Sequence, residues 1–202
     1  DLLSDTESGT LPEKDHEEPR TERPYDTREL RSAPSLVLVN TGHGKGKSTA
    51  AFGVIMRALA QGWRVGVIQF LKSDSWETGE ERMFRYLGVE WLKGGDGFVR
   101  HPHPGRSRDL ARATWARAAE ELRKGDYRLL VLDEITLPIS FDWIDVREVT
   151  AAIGDRAPHV NVILTGRRAP KLLVDKADTV TEMVKVRHPF DSGMLAQAGI
   201  DF

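Results

Sequence analysis

The chain has 202 residues, no cysteine and a formal net charge of −2. That length buries a proper core within one domain, and the missing cysteines exclude a disulfide framework and any thiolate metal site. No apolar run approaches the ~20 residues of a membrane span and no signal-like apolar stretch opens the sequence, so a cytoplasmic protein with no membrane contact is expected; a start on Asp1 rather than Met is what trimming or processing would leave.

Charge is unevenly spread. Asp1–Ser35 holds ten acidic and five basic residues, a net of −5, which leaves +3 on the remainder. The same stretch carries Pro12, Pro19, Pro24 and Pro34 with almost no apolar periodicity. Residues 1–34 therefore read as a disordered or partner-wrapping leader, and 35–202 as the folded domain. A net of +3 with no basic stripe interleaved with aromatics gives no reason to expect a nucleic-acid partner.

The first ordered element is an apolar run, Leu36–Asn40, predicted as a strand. It breaks into Thr41-Gly-His-Gly-Lys-Gly-Lys-Ser-Thr49, and helix Ser48–Gln61 follows, closed by Gly62. Strand, glycine-rich loop and helix in that order form a phosphate-binding loop. Gly42, Gly44 and Gly46 free the backbone to bring its N–H groups to phosphate oxygens, alongside His43 and Lys45. Lys47 adds a full charge, Ser48 a hydroxyl suited to Mg²⁺, and Thr49 continues into the helix. A strict phosphate-loop pattern would place glycine at Thr41. The helix is apolar on nearly every side (Ala50, Ala51, Phe52, Val54, Ile55, Met56, Ala58, Leu59), which predicts burial against a sheet.

Strand Arg64–Phe70, helix Thr78–Leu87 and strand Val89–Leu92 come next, then a basic, Pro-rich loop through His101-Pro-His-Pro-Gly-Arg106. Helix Asp109–Lys124 carries one apolar face, and Arg108, Arg112 and Arg117 read as its solvated side. Tyr127–Asp133 and Val160–Thr165 are continuous apolar runs of the kind found in buried parallel strands. Between them Asp145 and Glu148 resemble a capping box opening helix Val146–Ile153. The alternation predicts an α/β fold: a mainly parallel, doubly wound sheet of the P-loop NTPase (RecA-like) type, in a single domain. Ligands then bind beyond the carboxyl ends of the strands.

Strand Leu129–Asp133 ends in two carboxylates. Asp133 can reach Mg²⁺ directly or through water, and Glu134 stands where ATPases place a base or a second metal contact. Together with the loop, these residues predict a site for a nucleotide and Mg²⁺. On residues alone, a Mg²⁺-ATPase and a non-catalytic nucleotide carrier of the same fold both remain open. Lys72 and Arg167 follow strands on the ligand side, and His188 could reach phosphate or serve a structural role.

From Leu36 to Phe202 the chain resembles the P-loop type ATP:corrinoid adenosyltransferases. The resemblance is carried by Thr41–Gly53, Val67-Ile-Gln-Phe-Leu-Lys72, Gly79-Glu80, Gly97-Phe98, Val131-Leu-Asp-Glu134, Leu164-Thr-Gly-Arg167, Ala177-Asp178 with Thr181-Glu-Met183, and Val186-Arg-His-Pro-Phe-Asp191. Ala196-Gln197 and Gly199-Ile200 complete the series. The family's first loop position is also Thr. The resemblance implies transfer of the 5′-deoxyadenosyl group of ATP to the reduced cobalt of a corrinoid, cobalamin or a precursor, with release of tripolyphosphate. It implies an ATP reversed relative to hydrolases, so that Lys47 and the loop cradle the leaving tripolyphosphate and Ser48 and Glu134 hold Mg²⁺. It also implies that Phe98 belongs to an apolar wall excluding the lower cobalt ligand, that an electron donor such as a flavoprotein reduces the corrinoid, and that the protein is a homodimer. The chain departs from the family at Arg100, which replaces an expected aromatic of that wall and could instead stack on the corrin or pair with its carboxylates.

Overall fold

The computed structural model describes residues 30–73, 77–95 and 104–201. The chain divides into two units, Asp1–Ser32 and Ala33–Phe202, and the second carries every element below.

Six parallel strands make one sheet: β1 (Val37–Thr41), β2 (Val65–Phe70), β3 (Glu90–Gly94), β4 (Leu129–Asp133), β5 (Asn161–Thr165) and β6 (Thr179–Glu182), ordered β3-β2-β4-β5-β1-β6. Helices α1 (Lys47–Ala60) and α2 (Gly79–Tyr86) cover one face. Helices α3 (Pro104–Lys124), α4 (Thr136–Ser140), α5 (Val146–Gly154) and α6 (Lys171–Lys176) cover the other. This is the α/β, P-loop NTPase-like architecture that the alternation predicts. The sheet buries both faces because β2 and β4 have no exposed residue at all.

The register explains both cores. On the α1 face Val67, Val131, Ile163 and Leu38 lie in one row across four strands, packed by Ala51, Phe52, Ile55 and Ala58 of α1 and Phe84 of α2. Phe52 and Phe84 both pack on Trp91, with centroids 5.4 and 6.3 Å away. Two residues further along each strand the same alternation places Gln69, Asp133, Thr165 and Asn40. A polar row thus closes the apolar layer at the carboxyl ends of the strands. On the opposite face Phe70, Leu132 and Leu164 meet Ala111, Trp115 and Leu122 of α3.

Three expectations are corrected and one is extended. Helix α1 is not buried all round: Met56 is 53% exposed, and the buried stripe is Ala51, Phe52, Ile55 and Ala58. Helix α3 begins at Pro104, so Pro104-Gly105-Arg106 are helical rather than loop; proline lacks just the N–H that a first helical turn leaves unused. The arginines of α3 form the solvated side expected, and two of them are tethered as well: Arg112 donates to the Trp143 carbonyl at 3.1 Å and Arg117 meets Glu121 at 2.7 Å. Asp145 caps α5 through the Arg147 N–H, 2.8 Å away, and among the described residues Glu148 returns no bond.

Candidate functional site

Three of the four non-glycine residues with left-handed backbone among the described residues lie at one edge of the sheet; the fourth, Asp142, follows α4. Leu71, Glu134 and Arg168 adopt left-handed φ of 61°, 61° and 54° just past the ends of β2, β4 and β5, and Gly42 past β1 has φ 97°. Each side chain held there costs roughly 1–2 kcal/mol, and such outliers concentrate at functional sites. These three and Gly42 lie at the carboxyl edge of the sheet.

The loop between β1 and α1 is shaped by contacts with the rest of the protein. Gly46 is the N-cap of α1 at φ 116°, a conformation that favours glycine. Gly42 and Gly44 have a different reason. A Cβ on either would fall 2.4 or 2.7 Å from the Met183 carbonyl oxygen, because the chain leaving β6 runs as a strap across the loop. Gly44 donates its N–H to that carbonyl at 2.6 Å, so this amide faces the strap and not the ligand side as the sequence suggests. The strap's far end returns to the loop, where Asp201 pairs with Lys45 at 2.7 Å. Thr41 ends β1 with its hydroxyl accepting from the Ala169 N–H at 3.0 Å. A glycine at that position would release the loop that follows β5.

Lys47 is buried, and its ammonium donates to the Gly44 carbonyl at 2.7 Å. Burial lowers its pKa, Glu134 opposes that shift, Arg167 adds to it and Asp133 opposes it. Glu134 is the counterpart. Burial and then the neighbouring Asp133 raise its pKa, against the fields of Lys72, Lys47 and Arg167. Three cations and two carboxylates therefore converge, with Ser48 in the first turn of α1. Lys72 and Arg167, read from the sequence as lying on the ligand side, join the site. His188, half-buried, takes the structural role: its Nδ1 accepts from the Phe190 N–H, capping a short turn.

Asp133 is fully buried and each of its oxygens accepts a short bond, Oδ2 from Gln69 Nε2 at 2.7 Å and Oδ1 from the Thr165 hydroxyl at 2.7 Å. The Thr165 oxygen in turn accepts from the Glu134 N–H at 2.9 Å. Asn40, in the same row, donates to the Lys47 carbonyl at 3.1 Å. Sequence reasoning assigned no role to Gln69, Asn40 or Thr165. The available signal was a polar residue at the last inward position of each buried strand.

The chemistry of the donors fits Mg²⁺ brought in with a nucleotide. Among the described residues no side chain donates a hydrogen bond to the half-buried Glu134 carboxylate, and no group of three or more acidic, His or Cys side chains forms a metal cage. A lone carboxylate and a hydroxyl beside a phosphate loop match an ion that takes most of its ligands from phosphate and water. Beside Thr49, Met56, Glu80, Met83, Phe84 and Ile200 line a cavity of about 410 Å³, a size that admits a small ligand. Phe98 and Arg100 lie outside the described residues, as do His101, His103 and Trp76.

Sheet order, phosphate loop and acidic strand end define a P-loop nucleotide-binding protein. The chain belongs to a particular family of that class, ATP:corrinoid adenosyltransferase BtuR/CobO/CobP, whose model matches residues 34–202. It is similar to the corrinoid adenosyltransferase of a Sinorhizobium species, 42% identical over 173 residues that cover 83% of this chain and 80% of the relative. The corrinoid adenosyltransferase of Pseudomonas aeruginosa is 40% identical over 86% of this chain and 87% of its own. That of Escherichia coli is 38% identical over 83% and 85%.

Proposed function

We propose that the protein transfers the 5′-deoxyadenosyl group of ATP to the reduced cobalt of a corrinoid and releases tripolyphosphate. The reading is carried by the convergence of Lys47, Lys72 and Arg167 on a half-buried Glu134 at the mouth of a phosphate loop, in a chain of this family. In the reaction the electron pair of Co(I) attacks the ribose 5′ carbon. The carbon–oxygen bond to the α-phosphate breaks, a cobalt–carbon bond forms, and cobalt ends formally as Co(III).

No proton moves at the reacting atoms, so the protein needs no general base. What the leaving group needs is positive charge. Lys47 exchanges the Gly44 carbonyl for phosphate oxygen, and Lys72 and Arg167 add charge that strengthens as the carbon–oxygen bond lengthens. Ser48 and Glu134 would hold Mg²⁺, which neutralises further charge on the tripolyphosphate. The loop, with Thr41, Gly42, His43, Gly44, Lys45, Gly46 and Thr49, fixes the phosphates so that the 5′ carbon meets the corrin in line. Asp133 serves the metal through water or through its neighbours.

Composition supports a leader over residues 1–34, a domain over 35–202 and a cytoplasmic protein. Resemblance supports Phe98 against the corrin, a flavoprotein as electron donor and a homodimer, with Arg100 standing where the family has an aromatic. Among the described residues no helix is long and apolar enough to cross a membrane. ATP labelled with ¹³C at the 5′ carbon, mixed with protein, Mg²⁺ and chemically reduced cobalamin, tests the central step. The label should appear bonded to cobalt; label retained in nucleotide alone would overturn the proposal.

A further inference from the structure

We infer that Thr165 is the residue that positions Glu134, and that Asp133 serves the site by orienting Thr165 and not by binding metal itself. The inference rests on the nucleotide–Mg²⁺ reading above and extends it to Thr165, which that reading leaves without a role, and to how Asp133 acts.

Glu134 sits at φ 61°, uphill for any residue with a Cβ, so something must hold it. Its N–H is the group a left-handed turn swings out of the strand ladder, and the Thr165 hydroxyl receives it at 2.9 Å. A hydroxyl has one proton, and that of Thr165 is committed to Asp133 Oδ1 at 2.7 Å. Its oxygen is thereby turned to accept from Glu134, a relay that a freely rotating hydroxyl would not ensure. Gln69 closes the other end by donating to Oδ2 at 2.7 Å. Asp133 and Thr165 are both 0% exposed, so the chain is sealed beneath the site.

Topology supports the assignment. Strand β5 lies between β1, which bears the phosphate loop, and β4, which bears the acids. Its last residue is thus the one side chain of the polar row placed to tie the two together, Asn40 on one side and Asp133 on the other. A second threonine repeats the device from β4 to β5: Thr136 donates to the Arg167 carbonyl at 2.7 Å. Glu134 and Arg167, opposite charges at one edge of the sheet, are each fixed by a threonine across from them, Thr165 at the end of β5 and Thr136 at the start of α4.

The test is Mn²⁺ binding to the protein–ATP complex, followed by electron paramagnetic resonance, with metal-free ATP binding measured by calorimetry. Thr165→Val keeps shape but removes both bonds, and Thr165→Ser restores them. The Val variant should bind Mn²⁺ at least about tenfold more weakly, with metal-free ATP affinity unchanged and the Ser variant close to wild type. Equal Mn²⁺ affinity in the Val variant, a matching loss of metal-free ATP affinity, or failure of Ser to rescue would each overturn the inference. Asp133→Asn is the second arm should the Val variant fold poorly. An Asn can still accept from Thr165 while the Gln69 amide turns to face it, so the loss should stay within about tenfold, whereas a direct ligand would lose about a hundredfold or more. If the wild type itself binds no Mn²⁺ with ATP, the nucleotide–metal reading fails and this inference with it; if only the variants behave alike, the inference alone fails.

Discussion

Lys47 and Glu134 form the electrostatic centre of the site, and each is held in a charge state that burial disfavours. Lys47→Ala removes the buried cation nearest the loop, and Mg²⁺-ATP binding or turnover should fall by about 10² to 10³ while circular dichroism stays native. Unchanged affinity and turnover would contradict the phosphate-loop assignment. Glu134 makes a pH prediction with a definite sign. Because its folded pKa is raised, the folded protein binds more protons than the unfolded chain between the ordinary carboxylate value and the raised one, so stability falls as pH rises through that window. In ligand-free protein Glu134→Gln should therefore melt higher than wild type at pH 7 to 8, by about 2–4 °C for each kcal/mol recovered. The two should converge below about pH 4. A variant that melts lower at neutral pH would show that Glu134 is stabilised by its cations more than it is penalised by burial. At this scale the charged residues were legible because motif spacing announces them. Thr165, Gln69 and Asn40 were not, since a polar residue ending a strand is common and only cross-strand register turns three such residues and Asp133 into one row.

The elements that sequence reading recovered are those with a strong apolar period: five of the six strands and helices α1, α2, α3 and α5, within a few residues. Helix α4 contains Pro138 and α6 spans six residues, too short for periodicity to register. Strand β6 is Thr-Val-Thr-Glu with every residue exposed, and it forms because β1 offers an unpaired edge. Missing β6 also hid why Gly42 and Gly44 are glycines, which depends on the strap that leaves it. Paired substitutions separate that role from generic flexibility. Gly42→Ala places a methyl against the Met183 carbonyl at φ 97°, so the melting temperature and ATP affinity should both drop, with a cost of about 1–3 kcal/mol. Gly53→Ala, in mid α1 with nothing within 4 Å of its added Cβ, should instead stabilise by about 0.5–1 kcal/mol and leave affinity alone. Thermal melts and ATP titrations of the two variants check both signs, and a harmless Gly42→Ala would contradict the close approach of the strap.

At the scale of the molecule, Ser35 meets Arg156 at 2.9 Å and Val37 donates to Asp178 at 2.7 Å. Removing residues 1–33 spares both contacts, so the melting temperature should stay within about 2 °C; a larger fall would show that the leader packs on the domain. The fold class was legible from the alternation of elements, and the sheet order was not, because nothing in β5 announces that it separates β1 from β4. That order sets the distance between loop and acids and so underlies the whole account of the site. The most direct test of that account is the phosphate product of a single incubation with ATP, Mg²⁺ and chemically reduced cobalamin, resolved by ³¹P magnetic resonance. Transfer at the 5′ carbon predicts tripolyphosphate in equal amount to adenosylated corrinoid, dependent on the corrinoid and on Lys47. ADP and phosphate formed without adenosylated corrinoid would make the protein an ATPase and contradict the account.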